Sequence, residues 1–198
     1  MNYVIGTRGS KLALVQAEYV QQKLQERYPE HEFTLKVIKT KGDKIQDKSL
    51  AAIGDKGLFV REIERELLEG EIQLAVHSMK DMPGEIPEGL CFADAWERED
   101  PRDVLILREA KLLSDLPEHA VIGTGSKRRA CQLLALRPDL TIVDIRGNVD
   151  TRLRKLSEGQ FAAIVMATAG MKRLGLSMPK ERPLTPPAFV PAVGQGAL

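Results

Sequence analysis

The chain has 198 residues, 43% of them apolar and 29% charged, and a net charge of +1. That balance is ordinary for a soluble globular protein of one large or two small domains, with a core that needs no disulfide. The longest apolar run, Phe161–Ala167, is too short to span a bilayer, and the start lacks the basic and apolar stretches of a signal peptide, so a cytoplasmic protein with no membrane partner is expected.

Taken in chain order, Tyr3–Gly6 reads as a strand. Ser10 can cap a helix running to about Tyr28, with Ala13, Ala17, Val20 and Leu24 on one face. Glu32–Lys39 alternates as a strand. Thr40 to Lys56 is rich in Gly, Asp and Lys and reads as a mobile lid. Phe59 to Glu69 is helical, with Phe59, Ile63 and Leu67 in register. Leu74–His77 is a strand that ends in His77, Ser78, Lys80 and Asp81 before Pro83 stops it, and Leu90–Ala95 is a further candidate strand. In open α/β sheets ligands bind at the carboxyl ends of strands, so this rim is a place for charge chemistry.

Arg98-Glu-Asp-Pro-Arg102 is a charged junction suited to a first crossing between domains. Beyond it the strands are Val104–Leu107, Val121–Gly123, Thr141–Ile145 and Ala163–Met166, and the helices about Lys127–Leu136, Val149–Ser157 and Thr168–Leu174. Pro183, Pro186, Pro187 and Pro191 stiffen a tail that could return to the first domain. The alternation predicts an α/β fold of two doubly wound domains, their sheets mainly parallel, with a hinged interdomain cleft. The boundaries are 1–97 with a return segment 189–198, and 98–188.

Charge is uneven. Val121 to Gly175 carries ten basic and four acidic residues, +6 against −5 for the rest, which points to an anionic partner. Three basic clusters fall at strand-to-helix turns: Thr7-Arg8-Gly9-Ser10-Lys11, Gly123-Thr-Gly-Ser-Lys-Arg-Arg129 and Arg146-Gly-Asn-Val-Asp-Thr-Arg152. Free backbone N–H groups and the helix dipole favour anions at such turns, and arginine adds a fork for carboxylates or phosphates. Arg154 and Lys155 fall away from the buried stripe Val149, Leu153 and Leu156 and are expected in solvent; Arg137 ends its helix and complements the dipole there.

Several chemistries are excluded. Neither the three-glycine dinucleotide fingerprint nor a Walker-type phosphate loop is present. His77 and Ser78 face opposite ways on a strand and cannot act as a nucleophile–base pair, so His77 is expected to be structural. Two cysteines and three histidines share no ligand spacing, so no metal site is expected, and Cys91 and Cys131 read as buried thiols of a reducing compartment. Aromatic residues do not interleave with the basic turns, which argues against a nucleic-acid partner.

The chain resembles the hydroxymethylbilane synthase family, also called porphobilinogen deaminase. The resemblance rests on Thr7-Arg-Gly-Ser-Lys-Leu-Ala13, Thr40-Lys-Gly-Asp43, Lys56-Gly-Leu-Phe59, His77-Ser-Met-Lys-Asp-Met-Pro83, Arg98-Glu-Asp-Pro-Arg-Asp103, Gly123-Thr-Gly-Ser-Lys-Arg-Arg129, Arg146-Gly-Asn-Val-Asp-Thr-Arg152 and Pro191-Ala-Val-Gly-Gln-Gly196, in the family's order. It implies a monomeric, cytoplasmic transferase of haem and tetrapyrrole biosynthesis, with an architecture like that of type II periplasmic binding proteins. Such an enzyme joins four porphobilinogen units with release of ammonia. By the same resemblance Asp81 is the catalytic carboxylate. Arg8, Ser10, Lys80, Ser126, Arg128, Arg129, Arg146 and Arg152 hold the acetates and propionates of substrate and of a dipyrromethane cofactor. Lys56 belongs to the lid, and Gln195 to the hinge.

Two departures qualify the resemblance. The family carries a third, α+β domain with the cysteine that bears the dipyrromethane; this chain stops before it, neither Cys91 nor Cys131 matches that cysteine, and no sustained turnover by these residues alone is expected. Gly125 stands where the family often has serine. The competing reading is a non-enzymatic small-anion-binding module of the solute-binding type. Asp81 discriminates the two, because a carboxylate among arginines hinders anion capture and suits a cation-forming reaction.

Overall fold

The computed structural model describes residues 1–44 and 60–198. Lys56, Phe59 and most of the expected lid lie outside the described residues. The chain divides into two compact units, the first holding 1–44, 60–98 and 197–198 of the described residues, the second 99–196.

The first unit is a three-stranded parallel sheet. β1 (Asn2–Thr7) lies between β2 (Glu32–Val37) and the two-residue β3 (Leu74–Ala75). β1 and β2 pair from Asn2↔Glu32 to Thr7↔Val37, and β3 joins at Ile5↔Leu74 and Gly6↔Ala75. Side chains alternate across the strands, so the faces differ. Ile5, Tyr3 and Phe33 meet Ala17, Val20 and Leu24 of α1 (Lys11–Arg27), while Val4 and Ile38 meet Ile63 and Leu67 of α3 (Arg61–Leu68). A four-residue helix, α2 (Lys41–Lys44), follows β2.

The expected strand Leu90–Ala95 does not form, and Cys91 and Phe92 there are exposed. Among the described residues no strand offers that segment a ladder, and β-branched or aromatic content alone does not make one.

The second unit is a five-stranded mixed sheet in the order β6-β5-β7-β4-β8. β5 (Val121–Gly123) pairs in parallel with β6 (Thr141–Val143) and β7 (Ala163–Ala167). β4 (Asp103–Leu107) runs antiparallel to β7, Asp103 opposite Ala167, and to β8 (Glu181–Leu184). The expectation of mainly parallel sheets is thus corrected for this unit. β8 went unread because Pro183 sits in it; an edge strand tolerates a residue without an N–H.

β4 and β7 are buried on both faces, as a central pair must be to hold helices on either side. Leu105, Leu107, Ala163 and Val165 pack with Leu133 of α4 (Lys127–Leu136) and with Phe189. Val104, Ile106, Ile164 and Met166 pack with Leu156 of α5 (Val149–Ser157) and Met171 of α6 (Thr168–Arg173). Cys131 sits on α4 away from its buried Arg129 and Leu133, so both cysteines, expected buried, are exposed free thiols.

Candidate functional site

In the first unit the carboxyl ends of β1 and β3 gather the expected residues. Thr7 is buried and its hydroxyl donates to the Ala13 carbonyl at 3.2 Å. Ser10 caps α1, its Oγ accepting from Ala13 N at 3.3 Å, which leaves the hydroxyl proton for another acceptor. After β3 the chain turns through a short 3₁₀ segment, Met79–Asp81. That turn is held from two sides. Gln16 of α1 donates to Ser78 Oγ at 3.0 Å, and Met79 N donates to the Ala197 carbonyl at 3.1 Å. Asp81 N closes the turn on Ser78 O at 2.9 Å.

Lys80 is half-buried and Asp81 exposed. Among the described residues no hydrogen bond or ion pair reaches the Asp81 carboxylate. Burial, and then the nearby Arg8 guanidinium, push the His77 pKa down to about 4. Arg8 and His77 are therefore neighbours, and His77 is neutral at pH 7, in keeping with a structural role.

In the second unit the remaining clusters sit at the carboxyl ends of β5 and β6. Ser126 caps α4, accepting from Arg129 N at 3.4 Å; Asn148 caps α5, accepting from Thr151 N at 2.9 Å. Gly147 has φ of 113°, a backbone state that a side chain strains. Arg152 Nε donates to the Gly147 carbonyl at 2.8 Å and Lys155 Nζ to the Arg146 carbonyl at 3.1 Å, so Lys155, expected in solvent, braces the turn. Arg154 is exposed and pairs with Glu158, as its position predicts. Arg137 adds to its place at the end of α4 an ion pair with Asp139 and bonds to the Leu113 and Leu116 carbonyls.

The pKa of Arg152 is depressed, first by burial and then by repulsion from Arg129 and Arg146, against attraction from Asp144. Arg152 therefore lies within reach of two other guanidinium charges and one carboxylate. Asp144 has a second effect. A Cβ at Gly125 would meet the Asp144 carboxylate, so any side chain at this position requires that acid to shift.

The two adjacent arginines of α4 differ. Arg129 is buried and spends Nε and Nη2 on Asp103 and Nη1 on the Val165 carbonyl. Arg128 keeps 28% of its side chain exposed, with Nη2 at 2.8 Å from Asp103 and Nη1 on the Val190 carbonyl. Gln195 is buried and donates to Pro101 O at 2.6 Å and Asp103 Oδ1 at 3.0 Å. Asp103 is the residue sequence reasoning missed; its only signal was its place at the close of the charged junction. Gln16, half a helix from any basic turn, was missed as well.

Among the described residues no group of three or more His, Cys, Asp or Glu could hold a metal ion, and no helix is long and apolar enough to cross a membrane.

A family model described as "Porphobilinogen deaminase, dipyromethane cofactor binding domain" matches residues 3–198. The chain belongs to the porphobilinogen deaminase family. It is 60% identical to the porphobilinogen deaminase of Lachnospira eligens, covering 100% of this chain and 68% of that protein. It is 61% identical to that of Nitratidesulfovibrio vulgaris strain Miyazaki F (98% and 62% covered) and 58% identical to that of Clostridioides difficile (100% and 66%). The chain thus spans 62–68% of the length of these curated relatives. Among solved structures, a periplasmic binding protein of Salmonella typhimurium matches at 13% identity, covering 99% of this chain and 84% of that one, with a TM-score of 0.52. The periplasmic VFT2 domain of Bordetella pertussis BvgS matches at 14% identity, 96% and 77% covered, with a TM-score of 0.51. These likenesses show the fold, that of periplasmic binding proteins.

Proposed function

We propose that this porphobilinogen deaminase family chain carries the catalytic and anion-binding residues of an enzyme that joins four porphobilinogen units head to tail, releasing ammonia, to give hydroxymethylbilane. The observation that supports this most is identity of about 60% to curated porphobilinogen deaminases across the whole chain. The chemistry of the side chains agrees with it. Each pyrrole bears an acetate and a propionate, so substrate and product are polyanions, and Arg8, Ser10, Lys80, Ser126, Arg128, Arg146 and Arg152 serve those carboxylates. Arg129, committed to Asp103 and Val165, supports the site by its charge and by fixing the start of α4.

Asp81 is the catalytic carboxylate. When the aminomethyl C–N bond of porphobilinogen breaks and ammonia leaves, positive charge spreads over the pyrrole; a fixed carboxylate beside the ring N–H stabilises that charge. The same group accepts the proton lost as the ring system regains aromaticity. Its backbone N–H bonds Ser78 O, and Gln16 holds the Ser78 hydroxyl, so the turn is fixed without the Asp81 side chain and both its oxygens are left for substrate.

Arg146 and Arg152, set near the charge of the committed Arg129, fit a dipyrromethane, whose four carboxylates need such donors. When bound, that group supplies the pyrrole from which the chain grows. Cys91 and Cys131 stand in none of the basic turns, and we assign its thioether to a cysteine outside these residues. We place the enzyme in the cytoplasm as a monomer, and the two free thiols agree with a reducing compartment. In the intact enzyme, Asp81→Ala should abolish bilane formation while the circular dichroism spectrum stays that of the parent. Turnover within tenfold of the parent would favour a non-enzymatic anion-binding module instead.

A further inference from the structure

We propose that Asp103 is a positioning residue: one buried carboxylate, shared between two arginines and Gln195, holds the Arg128 guanidinium ready for a substrate carboxylate. The inference rests on reading Arg128 as a carboxylate holder. Asp103 opens β4 and has no exposed surface. Its Oδ1 accepts from Arg129 Nε at 2.9 Å, Arg129 Nη2 at 2.6 Å and Gln195 Nε2 at 3.0 Å. Its Oδ2 faces Arg128 Nη2 at 2.8 Å. A carboxylate so deeply buried is tolerated only when paired, and here two guanidiniums over-compensate it by one positive charge.

The surplus charge belongs to the arginine that reaches the surface. Arg129 is anchored by a third contact, to Val165 O at 3.0 Å. Arg128 is gripped at two points, Asp103 Oδ2 and the Val190 carbonyl at 2.6 Å, and still shows part of its side chain to solvent. The second grip is itself braced, because Gln132 accepts from Val190 N at 2.6 Å and donates to Val190 O at 3.1 Å. A guanidinium has five N–H donors in a rigid fork. Fixing one of them on Val190 O while the ion pair with Asp103 Oδ2 holds Nη2 orients the rest before any ligand arrives, so less side-chain freedom is lost on binding. Gln195 couples the same carboxylate to Pro101 O, so the frame also ties both chain segments at the boundary of the unit, 99–103 and 189–196, to β4.

The test is a double-mutant cycle in the intact enzyme, with kcat, KM for porphobilinogen and thermal melting measured for Asp103→Asn, Arg128→Ala and the pair. Asp103→Asn should raise KM about tenfold with kcat within about threefold, the scale of one charge-assisted contact. In the Arg128→Ala background the same change should raise KM less than about twofold, while its loss of melting temperature persists because Arg129 is orphaned in both. An equal KM rise in both backgrounds overturns the proposal and leaves Arg128 as a binder. An Arg128→Ala enzyme with parental KM overturns the reading of Arg128 and the proposal with it. If Asp103→Asn does not fold, Asp103→Glu runs the same cycle with an expected rise of about threefold, and a rise that survives Arg128→Ala overturns the proposal.

Discussion

Two carboxylates divide the labour of this chain. Asp81 sits on an exposed 3₁₀ turn of the first unit, its backbone held by neighbours and its oxygens uncommitted among the described residues. Asp103 sits at the start of a buried strand of the second unit, its oxygens facing Arg128, Arg129 and Gln195. In the proposed enzyme the same side chain is thus a reagent in one setting and a fastening in the other. Burial decides which. A carboxylate removed from water must be paired by the protein itself, and a paired one has nothing left for a ligand.

That contrast can be broken by stability measurements, since the two residues should separate widely. Asp103→Ala should lower unfolding free energy in urea by about 3–5 kcal/mol, the cost of leaving buried guanidinium charge unpaired. A loss under about 1 kcal/mol would mean that the arginines find other partners, as exposed pairs do.

The next effect is a pH dependence near Asp81. His77 has a folded pKa of about 4, below its ordinary 6.5. Between those values the unfolded chain binds a proton that the folded one refuses, so stability should fall as pH drops from 6.5 to 4 and level off below. The full drop is up to about 3 kcal/mol. His77→Gln should remove that slope from a pH series of urea melts, and an unchanged slope would place its origin elsewhere.

Smaller still, Asn148→Ala should cost about 1 kcal/mol through loss of the α5 cap, read as a shift in the urea midpoint. Asp81→Asn should change stability by less than about 0.5 kcal/mol, as for surface positions that hold nothing together. A large loss there would erase the contrast with Asp103.

Much of this arrangement was legible in the sequence, for local reasons. Ser10 caps a helix where its position says it should, and Ser126 and Asn148 cap at the other two basic turns. The stripe Val149, Leu153 and Leu156 faces the core because period and polarity agree. What escaped depends on distant partners. Asp103 follows Arg102 in sequence, yet Arg102 pairs with Asp100, and the cations on Asp103 come from α4. Lys155 looks solvated on a helical wheel, but the Arg146 carbonyl curls back to meet it. β8 hides behind Pro183, and the antiparallel place of β4 has no signature in its apolar run. Cys91 and Cys131 have apolar neighbours in sequence and solvent beside them in space.

The central claim is that Asp81 acts on the reacting pyrrole rather than on the fold or on anion capture. Single-turnover measurement of ammonia release by the intact Asp81→Asn enzyme, alongside its equilibrium affinity for porphobilinogen, tests this most directly. The account predicts affinity within about threefold of the parent and release slowed by about a thousandfold, the scale of a lost electrostatic stabiliser. Release at the parental rate, or affinity lost in the same proportion as rate, would contradict it.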